Sequence, residues 1–404
     1  MTIALVTPYF PDKSTIDSGI ANHYLLLAKE LAALGNAVIV MHVRPQYENE
    51  QDVFHLQNIT EDITVLTYKV EVPKAVTVFF KDHWAIVDFS LKLRSMVLTT
   101  RVLNSIIKKY GIQIIETSSY FSLCYFSLFK KINVPVVVRV STAFSQIMHD
   151  YYPFRSRLLD IIAKMEITFI KRSRYLLSHA HAHVRELEQL YQIDSDRFTI
   201  IPHGVEISAL SSTPVSETQP VSILYVGRFE YRKGIDVLLQ SIPNVLHRHP
   251  EVTFTLIGAD MGNEYQKEFI RNNKKTILER VFFIGTVDDS TLKKAYETCS
   301  IFVAPSRYES FGLIFIEAMS YGKPVVGCNV GGIPEIITDG FNGLFAVPGD
   351  AMSVADKLSH LITNPAVRAE TGRNALKTVI DRFTGKQLAL NSLTYYREVA
   401  SHIN

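Results

Sequence analysis

What most constrains this chain is an alternation. Short, almost wholly apolar runs are followed repeatedly by segments with apolar residues at helical spacing. TIALVTPYF, stopped by proline, reads as a strand buried on both faces. ANHYLLLAKELAALG follows as a helix ending at Gly35, and NAVIVMHV as a second buried strand. A strand–helix–strand opening favours a parallel sheet covered by helices. ITVLTYKV, IQIIETSS, VPVVVRVSTA and RYLLSHA continue the strand series. Residues 82–111 read as helical in one or two pieces, and a helix is expected around YFSLCYFSLFKK. An amphipathic segment covers 155–174, HVRELEQLY reads as a helix, and RFTIIPHGVE closes the first half.

At 208–220, SALSSTPVSETQP, the apolar pattern stops and Ser, Thr and Pro dominate. That is the expected domain boundary. A second series starts with VSILYVG, GIDVLLQSIPNVLHRH and VTFTLIG, and ends in helical sequence. The fold class is therefore α/β, with two Rossmann-like domains at 1–207 and 221–385, a linker at 208–220 and a final helix at 386–404. Ligands gather at the C-terminal ends of parallel strands. Two such domains facing each other would set two groups of strand-end loops across a cleft, each holding part of one ligand.

A 404-residue chain can build two ordinary cores. A formal charge of +2 gives no footprint for nucleic acid. Cys124, Cys299 and Cys328 are scattered and odd in number, as buried thiols are in a reducing compartment. The early proline argues against a signal peptide, and no apolar run is long enough to span a bilayer, so a cytoplasmic protein is expected. The 155–174 segment carries six Lys/Arg against two acids. It suits either a core-facing helix with a solvated basic side or peripheral contact with an anionic membrane at its inner face. The oligomeric state leaves no trace in the sequence.

Three motifs carry chemistry. GRFEYRKG, from Gly227 to Gly234, follows a strand and brings Arg228 and Lys233 to its end. An Arg fork and a Lys point charge suit phosphate oxygens, although a plain charged loop reads equally well. It is neither GxGxxG nor a Walker motif. SRYESFGLIFIEAMSYGKPV places Glu309 in a loop and Glu317 eight residues on, with Gly312 between. A helix is expected from Ser310 or Phe311, with the amides of Phe311 to Leu313 open to an anion. Glu309 and Glu317 would then accept hydrogen bonds from hydroxyls at opposite ends of a nucleotide sugar. NVGGIPEII adds Gly331-Gly332 ahead of Pro334, either a site for close backbone approach or an ordinary turn.

Together, GRFEYRKG, PSRYESFGLIFIEAMSYGKPVV and GGIPEII resemble the large family of retaining GT-B glycosyltransferases of the family 4 (group 1) type. IIPHGVE resembles the family's IPNGVD, with His203 in place of Asn. The resemblance implies a hexosyltransferase that needs no metal or cofactor and uses a nucleoside-diphosphate sugar as substrate, UDP favoured over GDP. It makes Glu309, Arg228 and Lys233 the catalytic set. It makes Gly19, Gly227, Arg228, Lys233, Gly285, Glu309, Ser310, Phe311, Gly312, Leu313 and Glu317 the donor-binding set. Arg228 and Lys233 would bind the diphosphate, Glu309 the donor sugar and Glu317 the ribose. Backbone near Phe283 to Gly285 would read the base. The final helix would cross back onto the first domain.

In the first domain, Asn22, Arg139 and Ser141 are the candidate contacts to sugar or acceptor. The family often places His near Ser141, so the resemblance does not carry its donor-sugar contacts and acceptor choice to this position. HAHAH, with His179, His181 and His183, reads as packing or helix-start contacts rather than a metal site, and Asp288-Asp289 is no nucleotide–metal motif. Two other classes stay open: an inactive nucleotide-sugar-binding or scaffold protein, and an epimerase or phosphorylase on the same fold.

Overall fold

The computed structural model describes residues 1–11, 19–46, 54–72, 84–130, 132–151, 156–207 and 220–402. The chain divides into two compact units, Met1–Pro202 with Gly385–Asn404, and His203–Thr384. The divisions fall at Pro202/His203 and Thr384/Gly385, against expected edges near 207 and 385. Of the expected linker, 208–219 lie outside the described residues, as do 12–18 of the first polar loop.

The first unit runs β1 (Thr2–Thr7), α1 (Gly19–Ala33), β2 (Ala37–Gln46), β3 (Phe54–Thr60), β4 (Ile63–Glu71) and α2 (Trp84–Tyr110). It continues β5 (Ile114–Ser118), β6 (Val136–Arg139), α3 (Phe144–Tyr151), α4 (Arg157–Arg172), β7 (Tyr175–Ser178), α5 (His181–Tyr191) and β8 (Phe198–Ile200). The strands form one sheet in the order β3-β4-β2-β1-β5-β6-β7-β8, parallel except for the β3–β4 pair. Strand residues alternate between its two faces. Ile3, Leu5, Val38 and Val40 face α1, while Ala4, Val6, Ile39 and Met41 share a core with α2, α4 and α5.

One expectation is narrowed and one changes. The 82–111 material forms one 27-residue helix, α2. YFSLCYFSLFKK gives two short 3-10 turns, Tyr120–Ser122 and Tyr125–Leu128, with Phe121 and Ser122 at positive φ. There the Ser118 hydroxyl accepts from the Tyr120 amide, and the Ser122 hydroxyl donates to the Ser119 carbonyl. Local side-chain bonds of this kind compete with helix.

The second unit runs β9 (Ser222–Val226), α6 (Ile235–Arg248), β10 (Thr253–Ile257), α7 (Glu264–Asn272), α8 (Lys275–Leu278), β11 (Val281–Gly285), α9 (Asp289–Thr298) and β12 (Ile301–Val303). Then come α10 (Leu313–Ser320), β13 (Val325–Cys328), β14 (Gly343–Ala346), α11 (Ala351–Thr363) and α12 (Pro365–Arg382). Its parallel sheet is ordered β11-β10-β9-β12-β13-β14. The order reverses between β9 and β12, whose following loops lie side by side at the sheet's edge. Such a switch point is where an open parallel sheet holds its ligand.

The last helix, α13 (Gly385–Ser401), belongs to the first unit, where Leu388, Leu393, Tyr396 and Val399 pack in the core with α1. A buried polar tie fixes it there. Arg139 grips Glu116 through two hydrogen bonds of 2.8 and 3.0 Å and reaches the Ser392 hydroxyl at 3.1 Å. The Tyr396 hydroxyl donates to the same Glu116.

Candidate active site

The site grows from the ends of β9 and β12. Beyond β9 the chain turns at Gly227, whose amide donates to Ile257 at 2.9 Å, and the buried Tyr225 hydroxyl donates to the Arg228 carbonyl at 3.1 Å. A single 3-10 turn, Tyr231–Lys233, ends on Gly234 at φ 66°. A Cβ there would lie 1.9 Å from the Pro305 carbonyl oxygen, so only glycine lets this loop pass the end of β12.

The two loops are then stapled together. Asp236, in the first turn of α6, holds Arg307 by two hydrogen bonds of 2.7 Å each. The Arg307 guanidinium also lies over the Tyr231 ring at 3.8 Å, and its amide donates to the Arg232 carbonyl. The staple places Lys233 Nζ 2.6 Å from Glu309 Oε1, which also accepts from the Ser306 hydroxyl at 3.0 Å. Arg228, earlier in the same loop, is more exposed and pairs with Glu230 at 2.9 Å.

A third loop closes the back. The Gly332 amide donates to the Glu309 carbonyl at 2.9 Å, and a Cβ on Gly331 would fall 2.0 Å from that oxygen. The glycine pair therefore approaches the Glu309 backbone closely. Pro334 opens only a 3-10 turn, Ile333–Glu335.

The helix expected from Ser310 or Phe311 begins at Leu313, capped by Gly312 at φ 108°. Glycine takes this left-handed conformation without strain, which delays the first helical turn. The open tip is therefore shifted towards Leu313 and Ile314, while the Phe315 amide already bonds to the Gly312 carbonyl at 3.0 Å. The Phe311 ring meets that of His203 edge-on at 5.2 Å. Glu317, one turn in, accepts from the buried Tyr296 hydroxyl at 2.9 Å. Burial pushes its carboxyl above the usual range, opposed by that hydrogen bond. The two acids thus differ in kind: Glu309 is ion-paired, Glu317 faces a neutral phenol. Gly285 ends β11 at φ 75° and its carbonyl accepts from the Gly258 amide. Ser306 and Tyr296 escaped the sequence reading, because a lone Ser and a Tyr in a helix carry no signal.

In the first unit, Gly19 and Asn22 are exposed at the start of α1. Arg139 is a different case: it is 4% exposed and bound to Glu116, Ser392 and the Ile201 carbonyl. That makes it an internal tie instead of an open sugar contact. The Ser141 hydroxyl is buried and has no hydrogen-bond partner among the described residues, and its amide donates to Ser119 Oγ at 3.3 Å. The HAHAH histidines do not share a strand face. His179 follows β7, His181 starts α5, and the His183 ring stacks on His179 at 4.7 Å. Asp288 caps α9, accepting from the Thr291 amide at 2.7 Å. Among the described residues no group of three or more His, Cys, Asp or Glu could hold a metal ion.

Comparison with known proteins agrees with this layout. The model of Glycosyltransferase Family 4 matches residues 18–209, and that of Glycosyl transferases group 1 matches 210–378. An uncharacterized glycosyltransferase of Methanocaldococcus jannaschii is 33% identical over 43% of this chain and 44% of its own length. Phosphatidyl-myo-inositol mannosyltransferase of Mycobacterium leprae is 25% identical over 99% of this chain and 98% of that protein. The chain spans about half the length of the first curated relatives it matches. Among solved structures, Anabaena HepE in complex with UDP and glucose superposes with a TM-score of 0.69 at 18% identity, covering 98% of this chain and 100% of that one. With two parallel-sheet units and adjoining family matches along most of its length, the chain belongs to the GT-B glycosyltransferases of family 4, the group 1 transferases.

Proposed function

We propose that this protein moves a hexosyl group from a nucleoside-diphosphate sugar to an acceptor hydroxyl with retention of configuration. The observation that carries this is the Lys233–Glu309–Ser306 constellation at the switch point of the second sheet. The second unit is the donor half. Arg228 and Lys233 neutralise the diphosphate, the tip of α10 adds amides, Glu309 faces the sugar and Glu317 takes the ribose hydroxyls. The first unit is the acceptor half. In the reaction the bond from the anomeric carbon to phosphate breaks and one to the acceptor oxygen forms on the same face. The acceptor proton passes to the departing diphosphate. Catalysis then rests on placement and charge stabilisation, without metal or cofactor.

The donor is proposed to be a UDP-sugar, supported by the UDP and glucose bound in Anabaena HepE. A thermal-shift screen against UDP-, GDP-, ADP- and TDP-sugars tests this, followed by NMR of the anomeric configuration of the product. Glu309→Ala should abolish transfer while donor still binds. Full activity in that variant would discard the assignment. Donor binding with no turnover under any acceptor would favour the binding-protein reading.

Peripheral contact with membrane at 155–174 is also proposed, in a restricted form. Helix α4 spends Leu159, Ile162, Phe169 and Ile170 on the core, and leaves Arg157, Lys164, Lys171 and Arg172 exposed with no carboxylate partner among the described residues. No helix among the described residues is long and apolar enough to cross a membrane. Adsorption would therefore be electrostatic and reversible by salt. Flotation with anionic vesicles at low and high salt checks it; binding that survives high salt, or none at low salt, removes the idea.

A further inference from the structure

The buried stripe of α4 is Leu159, Ile162, Ala163, Glu166, Phe169 and Ile170. Glu166 sits where the helical period calls for an apolar side chain, and it is only 2% exposed. A carboxyl in such a place needs partners. Glu166 Oε2 accepts from the Phe144 amide at 2.7 Å, and Oε1 accepts from the Ser119 hydroxyl at 3.1 Å. Ser119 Oγ in turn accepts from the Ser141 amide. One side chain thus ties the loop after β5, the loop after β6 and the start of α3. All three lie at the C-terminal edge of the first sheet, and they include the Ser141 hydroxyl, which has no hydrogen-bond partner among the described residues.

We infer that Glu166 is a positioning residue for the acceptor side of the reaction, holding segment 141–144 through the Phe144 amide and Ser119. The inference rests on the transferase reading above and adds a residue outside the donor machinery. Other groups face this carboxyl. From α2 come Lys92 and its partner Asp88, 2.6 Å apart, with the Lys92 ammonium 3.8 Å over the Phe144 ring. From α5 comes Tyr191, hydrogen-bonded to Ser145. Burial pushes the Glu166 carboxyl up to about 7, against the Phe144 amide, the Ser119 hydroxyl and Lys92. A hydrogen bond to a carboxylate is stronger than one to the neutral acid. Lowering pH through neutrality therefore slackens the tie and loosens 141–144, a local opening that releases the Phe144 amide while Glu166 stays buried.

Two measurements on the full chain test this, with Glu166→Gln as the conservative variant, since its amide oxygen still accepts from Phe144. Glu166→Ala strands two buried donors and serves only as a folding control. The first measurement is hydrogen exchange at the Phe144 amide, corrected for intrinsic rate. From pH 8 to pH 6 its protection should fall about tenfold in wild type, following the ionised fraction of one carboxyl near 7, and stay level in E166Q. The second uses UDP-glucose with octyl glucoside and octyl mannoside as acceptor probes, and reads the ratio of sugar transfer to donor hydrolysis. That ratio should follow the same pH curve in wild type and be flat in E166Q, whereas a merely structural role would move transfer and hydrolysis together. Protection independent of pH, or a pH break in the ratio that persists in E166Q, would overturn the inference. Absence of any donor turnover would overturn the transferase reading, while the exchange measurement still decides whether Glu166 makes the tie.

Discussion

Lys233 and Glu309 hold each other at 2.6 Å with little exposure on either side. Losing one partner leaves the other charged, half-desolvated and unmatched. Lys233→Met should therefore cost stability, on the order of 2 kcal/mol in denaturant unfolding, as well as weaken donor binding. Arg228, more open to solvent, should behave differently: Arg228→Ala should weaken donor binding with little change in stability. Gly234 predicts the steepest small change. In Gly234→Ala the added Cβ meets a backbone oxygen at 1.9 Å in a left-handed residue, and unfolding should ease by roughly 3 kcal/mol or more. Glu166 carries a pH signature of opposite sign to a salt-bridged acid. Its folded carboxyl is raised to about 7 from an ordinary 4.5, so between those values the folded chain keeps a proton that the unfolded chain has released. Stability therefore falls as pH rises through that window and levels off above it, by an amount on the order of 3 kcal/mol relative to E166Q. Melting curves of both proteins from pH 4.5 to 8 would show it.

Elements were more legible than their ends. Runs such as NAVIVMHV and VSILYVG are apolar throughout because both faces of a parallel strand are covered, and that pattern survives without knowing its neighbours. The start of α10 was misplaced because a left-handed Gly312 is a backbone fact with no side-chain trace. Tyr120 to Leu128 misled for a related reason: apolar residues at helical spacing also suit turns whose amides and carbonyls are satisfied by Ser118 and Ser122. In the site, Glu309 and Glu317 stand out as charge in an apolar run, whereas Arg228 and Lys233 in GRFEYRKG are marked only by the family resemblance, because a plain charged loop would look the same. Glu166 lies within the buried stripe of α4, but its partners are 22 and 47 residues away and leave no local mark. Helix α13 gives a test at this scale. Tyr396→Phe removes one hydrogen bond to the buried Glu116 and should cost about 1 to 3 kcal/mol.

At the scale of the molecule, the parallel strands of each sheet reverse their order once: β9 against β12 in the second unit, β1 against β5 in the first. The recognisable motifs cluster at the second reversal. The first unit offers buried ties, Arg139 with Glu116 and Glu166 with Ser119, which leave little mark in sequence because each joins segments far apart in the chain. Donor chemistry is for that reason the better defined half of the proposal.

The loop that carries Glu309 is held by backbone on both sides. Gly234 presses on the Pro305 carbonyl, and Gly331 and Gly332 on those of Glu309 and Ser310. A segment held so closely is ordered when the chain folds and not when ligand arrives. Calorimetry of UDP binding should accordingly show only a small unfavourable entropy of loop ordering, and a preorganised site gains affinity from that saving. Replacing Gly331 with a residue bearing Cβ would loosen the loop and should move the loss of UDP affinity into the entropy.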